Sequence, residues 1–361
     1  MNELEQKRNE IDAIDKEMAK LFEERMKVCD YIAEYKKTNM LPVFDKDREE
    51  KILADRVKYV KDDVCKEYYI DFMKDLMKLS CKYQERKIGQ IKVAYSGTEG
   101  AFGYMAAKEA FNNADLIAYP HFAAAYHAVE NGEADCAVLP IENSYAGDVG
   151  TVMDLAFSGG LFINRVIDFD IVHNLVAKKG ASLDKIKTVV SHPQALEQCE
   201  GFIKEHGFAT IEYANTALAA KYVKENCDET VAAIASDITA EHFDLEILQR
   251  NINSGKSNTT RFAVFSKAQV LSQSARINEK EHFIIVFTTK NEAGTLAQAL
   301  NIIGAHDFNM RNLRSRPMKD LLWSYYFFVE AEGNIGTREG QNMMRELSAV
   351  CARLKLVGTY R

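Results

Sequence analysis

Stepping along the start of the chain by alternate fours and threes from Leu4 reaches Arg8, Ile11, Asp15, Met18, Phe22, Arg25, Cys29, Ile32 and Lys36. These positions share one stripe of a helix. The stripe is apolar except for Arg8, Asp15, Arg25 and Lys36. Charges on a buried seam are costly unless paired, and Asp15 can compensate only one cation. Surplus positive charge therefore faces inward, which fits either an anion site between helices or interhelical salt bridging. Asp45, Arg48, Glu49 and Ile52 fall on one face of a second helix. Met73, Leu76, Ser80 and Gln84 fall on one face of a third, the last two polar on an otherwise apolar stripe.

A second set of polar groups sits at the ends of short apolar runs: Glu142, Asn143 and Ser144; Ser191, His192 and Gln194; Ser236; and Asn258, Thr259, Thr260 and Arg261. Two-lobed α/β folds gather ligands at strand ends in the cleft between lobes. Taken singly, Ser-His-Pro is also an ordinary helix cap, and Asn-Thr-Thr an ordinary turn. The run from Ser96 to Gly103 is glycine-rich but lacks the G-x-G-x-x-G spacing, so it does not support nucleotide binding.

The elements that must hold these groups differ along the chain. Residues 1–87 contain 20 Lys/Arg and 21 Asp/Glu, one proline (Pro42) and no glycine, an all-helical composition. A helix from about 3 to 38 would be ~50 Å long, too long for a compact three-helix monomer, so an intertwined helical dimer is expected. From about Ile91 short apolar runs alternate with helical stretches and glycines mark the joints, which is α/β grammar. After a polar stretch near 268–281, the tail reads β-α-β-β-α-β, a ferredoxin-like unit.

With 361 residues, 47% apolar and 27% charged, the chain suits two or three globular domains. A net charge of −7 gives no global field for nucleic acid or an anionic membrane. No stretch approaches a membrane span, and the charged N-terminal segment is unlike a secretion signal. Seven scattered cysteines without a CxxC pair suit reduced cytoplasmic thiols. The histidines, His306 included, have no metal-ligand spacing, and Trp323 and the tyrosines read as packing. No metal or cofactor is expected.

Across residues 1–88, Arg8, Arg25, Lys36, Asp45, Arg48, Glu49, Ser80 and Gln84 resemble, in identity and spacing, the active-site set of the all-helical chorismate mutases. The resemblance implies that Arg8 (from a partner chain), Arg25 and Arg48 clamp the carboxylates of chorismate. It gives Lys36 and Gln84 the breaking ether oxygen, Glu49 the substrate hydroxyl, and Asp45 and Ser80 the remaining lining. Guanidinium suits bidentate carboxylate binding, and this pericyclic step needs only positioning and charge stabilisation.

Residues 91–267 resemble prephenate dehydratase, a two-lobe fold like that of periplasmic binding proteins. The elements matched are Pro140–Ser144, Ser191–Cys199, Ala232–Ser236 and Asn258–Phe262. The resemblance implies loss of water and CO2 from prephenate to give phenylpyruvate. Thr260 would protonate or hydrogen-bond the departing hydroxyl, and Asn143, Ser144, Ser191, His192 and Gln194 would bind carboxylates and ring. Arg261 could point away from the cleft. Many family members have Ser or Thr where this chain has Ala101 and Gly103, which leaves open a preference for arogenate over prephenate.

Residues 280–361 resemble the ACT domain attached to such dehydratases, an amino-acid sensor that pairs between chains. Gly294, Thr295 and Leu296 match its helix start, and Arg314, Ser315, Arg316 and Pro317 match its E-S-R-P motif, with arginine for glutamate. The whole is expected to be a bifunctional enzyme of phenylalanine biosynthesis, a homodimer or homotetramer, taking chorismate and prephenate and controlled by L-phenylalanine. A non-catalytic amino-acid-responsive binding protein is the alternative of a different class.

Overall fold

The structure is a computed structural model. It describes residues 2–38, 41, 43, 46–89, 91–111, 113–145, 147–255, 258–269, 281–318 and 324–360, with the side chains of 46–50 not included. It forms two compact units, Met1–Ile91 and Lys92–Arg361. Among the described residues no helix is long and apolar enough to cross a membrane.

The absence of glycine before Gly89 lets the first unit run as long helices: α1 (Glu3–Thr38), α2 (Lys46–Arg56) and α3 (Asp63–Ile88), with a 3-10 turn at Val57–Tyr59. Asp62 caps α3 by accepting from the Cys65 N–H at 2.9 Å, and Gly89, at φ 73°, ends it. The C-terminal half of α1 packs on α3, burying Met26, Cys29 and Ala33 with Met73 and Met77. Among the described residues of this unit the N-terminal half has no such cover. Leu4, Ile11, Ile14, Met18, Leu21 and Phe22 are all 43–61% exposed.

The second unit opens with β1 (Lys92–Ser96), α4 (Phe102–Ala110), β2 (Asp115–Tyr119), α5 (Phe122–Asn131), β3 (Cys136–Asn143), β4 (Gly147–Asp148), α6 (Gly150–Ser158) and β5 (Phe162–Asp170). The chain then crosses into a second lobe: β6 (Asn174–Ala177), β7 (Thr188–Ser191), α7 (Pro193–Gln198), α8 (Glu200–His206), β8 (Ala209–Glu212), α9 (Thr216–Asn226), β9 (Val231–Ala235), α10 (Asp237–His242) and β10 (Glu246–Gln249). It returns through β11 (Thr259–Ser266). The second lobe is a five-stranded sheet in the order β10-β6-β9-β7-β8. In the first lobe β11 lies antiparallel between β3 and β5, and β1 pairs parallel with β3 and β2.

The tail is β12 (His282–Thr288), α11 (Thr295–Ala305), β13 (Asn309–Pro317), β14 (Tyr325–Glu332), α12 (Arg338–Val350) and β15 (Arg353–Tyr360). Its antiparallel order β13-β14-β12-β15 is the expected ferredoxin-like topology. Period-two alternation gives this sheet two apolar faces. Phe283, Ile285, Phe287 and Val329 pack with α11 and α12. Ile284, Val286, Tyr326 and Phe328 share a core with Val152, Met153, Ala156 and Phe157 of α6. β15 also continues the first-lobe sheet, parallel to β5, with Gly358 opposite Ile163. A Cβ at Gly358 would collide with the Ile163 backbone. Two apolar faces and a continuous sheet explain why dehydratase-like and ferredoxin-like segments form one compact unit.

Candidate functional site

In the helical unit, one turn separates Ser80 from Gln84 on α3, and both are buried. Arg25, across from them on α1, donates from Nη1 to Ser80 Oγ, and Ser80 in turn donates to Leu76 O at 2.6 Å. Among the described residues Gln84 Oε1 is buried with no hydrogen-bond partner, and a buried unsatisfied polar group costs about 1–3 kcal/mol. Lys36 donates to Val43 O at 2.5 Å. Arg8 is exposed and lies 17 residues from Arg25, about 25 Å along the helix. The chain by itself therefore does not bring Arg8 to Arg25, Ser80 and Gln84. Asp45 lies outside the described residues, as do the side chains of Arg48 and Glu49.

In the two-lobed unit the register of β3 and β11 decides what meets. Thr260 lies opposite Asn143, and Arg261 opposite Glu142. Neighbouring residues on a strand face opposite sides, so Asn143 and Thr260 share one face while Glu142 and Arg261 share the other. Asn143, Gln198, Asn258 and Thr260 are buried, and their hydrogen bonds run in one direction. The Tyr145 backbone N–H can only donate, and it donates to Asn143 Oδ1 at 3.0 Å. Asn143 Nδ2 therefore donates onward, to Thr260 Oγ1 at 2.8 Å and to Asn258 Oδ1 at 2.9 Å. Asn258 Nδ2 donates to Gln198 Oε1 at 2.9 Å. That oxygen also lies 2.8 Å from His173 Nε2, which must then carry the proton. Thr260 thus accepts from the protein, and its own hydroxyl proton has no protein acceptor among the described residues.

This array sits where the lobes join. His173 lies on the crossing from β5 to β6 and is only 1% exposed; its N–H donates to Asn253 Oδ1, on the return crossing, at 2.8 Å. Burial lowers the His173 pKa below the usual imidazole value, opposed by the bond to Gln198. Nδ1 has no partner among the described residues, consistent with a neutral Nε2–H ring. The Phe102 ring meets it edge-on at 5.5 Å, and Phe102 and Phe169 extend an aromatic wall toward Thr260.

The other expected residues surround this array with different tasks. Ser191, at the end of β7, is fully buried and donates to Ile234 O at 2.8 Å. His192 caps α7, accepting from Gln194 N at 3.2 Å, and burial lowers its pKa. Ser144 is exposed and its oxygen accepts from Thr259 N at 3.0 Å, tying β3 to β11. From the second lobe, Thr239 donates to Gly100 O at 2.7 Å. Nearby, Thr98 Oγ1 is buried without a partner among the described residues. A Cβ at Gly103 would lie 2.9 Å from Ser96 O, so a serine or threonine there requires the backbone to shift. His173 escaped the sequence reading because it has no motif partner in sequence; Gln198 lay within the matched Ser191–Cys199 run but was not singled out.

Arg261 points away from the cleft. It pairs with Glu330 of β14 at 2.8 and 3.0 Å, with Glu142 at 3.1 Å and with the Tyr360 hydroxyl at 2.6 Å. Burial opposes its charge, but Glu330, Tyr360 and Glu142 together raise its pKa. Gly294, Thr295 and Leu296 begin α11, on the helix-covered face of the C-terminal sheet. Arg314 and Arg316 lie opposite Phe328 and Tyr326, which belong to the other face. The structure therefore does not gather those two arginines with Gly294; they meet carboxylates of the first lobe instead. Arg316 pairs with Asp154 at 2.9 Å.

The two units correspond to two enzyme classes. The prephenate dehydratase family model matches residues 93–270, and the chorismate mutase type II model matches residues 7–85. The bifunctional chorismate mutase/prephenate dehydratase of Aquifex aeolicus is 31% identical over 367 residues, covering 100% of this chain and 98% of that protein. Its counterpart from Buchnera aphidicola of Acyrthosiphon pisum is 31% identical over 373 residues, covering 98% and 95%. Among solved structures, the prephenate dehydratase of Arthrobacter aurescens in complex with L-Phe is 26% identical with a TM-score of 0.69, covering 75% of this chain and 89% of that one. The chain belongs to the bifunctional chorismate mutase/prephenate dehydratase family.

Proposed function

We propose that the chain carries out two consecutive steps of phenylalanine biosynthesis at separate sites. The helical unit rearranges chorismate to prephenate. Arg25, Arg48 and a partner chain's Arg8 hold the carboxylates, Lys36 and Gln84 donate to the ether oxygen, and Glu49 holds the hydroxyl, with Asp45 and Ser80 lining the site. The exposed apolar stripe on the first half of α1 supports pairing with a second copy, which supplies Arg8.

The two-lobed unit converts prephenate to phenylpyruvate. Electrons of the bond to the ring carboxylate move into the ring as CO2 leaves, the ring becomes aromatic, and the hydroxyl opposite departs as water. Thr260 donates to that hydroxyl, and Ser191, His192, Gln194 and Ser144 lie around the bound acid. The observation that carries this reading is the directed array Tyr145–Asn143–Thr260, in which the Thr260 proton has no acceptor among the described residues and can turn to a ligand. His173 and Gln198 hold the far end of the array. The C-terminal unit acts as an ACT domain sensing L-phenylalanine, as the L-Phe complex of the Arthrobacter protein supports.

The test is a time course of the purified chain with chorismate, following chorismate, prephenate and phenylpyruvate, with and without phenylalanine. Transient prephenate followed by phenylpyruvate is expected, suppressed by phenylalanine. Prephenate accumulating without phenylpyruvate would refute the second activity, and turnover of arogenate instead would reassign its substrate.

A further inference from the structure

We infer that Arg314, in the C-terminal ferredoxin-like subdomain, is a positioning residue for the dehydratase chemistry of the first lobe, because it neutralises and clamps the two opposed carboxylates of the hairpin that carries Asn143. The inference rests on the proposed dehydratase site.

β3 and β4 form a hairpin in which Glu142 lies opposite Asp148, and Asn143 opposite Gly147. Like charges directly opposite one another on paired strands are destabilising, so this hairpin needs a cation to keep its shape. Arg261 supplies part of that charge to Glu142 but is held mainly by Glu330. Arg314 supplies the rest. It donates from Nη2 to Glu142 Oε1 at 2.6 Å, pairs with Asp148, and is oriented by Asn312, which accepts from its Nε at 2.7 Å. The three side chains are 19–27% exposed, where a charge pair is screened less than at an open surface.

The clamp reaches the reacting atoms within one residue. Glu142 precedes Asn143, and Arg261 follows Thr260, so both lie across the pleat from the directed array. At the tip of the same hairpin, the Tyr145 N–H sets the direction of the Asn143 amide. Removing the arginine between Glu142 and Asp148 would let the tip shift, and the array would lose its geometry without losing any group that binds the acid. The residue type matters: at this position, where the E-S-R-P motif has glutamate, a third carboxylate would face Glu142 and Asp148.

The experiment compares Arg314→Gln, Arg314→Glu and the double variant Arg314→Gln/Asp148→Asn in the full-length chain. Mutase turnover is the internal control, because its residues lie in the other unit. Coupling through a packed contact of this kind modulates function by roughly 2- to 30-fold. Dehydratase kcat is expected to fall by that amount in Arg314→Gln and further in Arg314→Glu, with KM and mutase kcat little changed. Removing Asp148's charge should restore kcat to within about twofold. Hydrogen exchange of peptides spanning 141–149 is measured on the same proteins and should quicken in Arg314→Glu. This readout needs no dehydratase turnover, so it judges the clamp even if the wild type fails to convert prephenate. Unchanged kcat and unchanged exchange in Arg314→Glu, a KM effect alone, or no recovery in the double variant would each overturn the assignment.

Discussion

Asn143→Asp is the sharpest test of the directed array, because it changes one atom's chemistry and almost no volume. The native amide makes two donations, to Thr260 Oγ1 at 2.8 Å and Asn258 Oδ1 at 2.9 Å. A carboxylate can make neither. Thr260 would turn its proton toward the introduced carboxylate and away from the substrate, and two acceptor oxygens would face each other at Asn258. A net hydrogen bond contributes about 1 kcal/mol and an unsatisfied buried group costs about 1–3 kcal/mol. One lost donation to Thr260 plus one opposed acceptor pair gives about 2–4 kcal/mol, or roughly 30- to 10³-fold in kcat. The assay is phenylpyruvate formation from prephenate, with the thermal melt of the two-lobed unit as the control for folding. Thr260→Val removes the same proton directly. In the double variant the two losses should overlap rather than multiply, since both act through one hydroxyl. Full multiplication of the two effects, or Asn143→Asp within about threefold of wild type, would sink the argument that the amide directs the threonine.

Other outcomes follow from the same geometry. Arg25→Ala should abolish mutase turnover and leave dehydratase turnover near wild type, measured on chorismate and prephenate separately. Arg8→Ala and Arg25→Ala, each inactive alone, should recover about a quarter of wild-type mutase activity when co-refolded in equal amounts, because half the dimers are mixed and each has one intact site. No recovery would mean that Arg8 does not cross between chains. Burial lowers the His173 pKa, so at acid pH the unfolded chain binds a proton that the folded chain refuses. The two-lobed unit should therefore lose stability as pH falls from about 6.5 toward the depressed native value. His173→Gln, which keeps a donor for Gln198, should flatten that dependence in thermal melts at about pH 5 and 7.5.

The helical unit was legible because it obeys a single period. The 4-3 stripe that carries Arg25 shares Cys29 with the α1 face that packs on α3, whose other buried residues, Met26 and Ala33, lie beside the stripe, and α1 spans Glu3–Thr38 as the spacing suggested. Asn143 and Thr260 were legible as a pair only through resemblance to a family; 117 positions apart in the chain, they have no local pattern that links them. His173 and Gln198 show why. His173 joins the site from a crossing between lobes and Gln198 from the end of α7 in the second lobe, and no periodicity records where the two meet. Arg314 was legible as a departure from a motif, but its partners were not, since sequence spacing cannot state which face of β13 meets the first lobe.

Local chemistry along the sequence determined the element types, the apolar faces, the place of Arg25 on the inner side of α1 and the reactive residue types at strand ends, since these depend on side-chain period and composition alone. Tertiary structure decided the rest. The register of β3 against β11 put Asn143 on Thr260 and sent Glu142 and Arg261 to the opposite face. Packing of the C-terminal sheet on α6 then brought Arg314 to the hairpin. Pleat and register act between strands far apart in the chain, and a one-residue slip in either would have reversed every one of those faces.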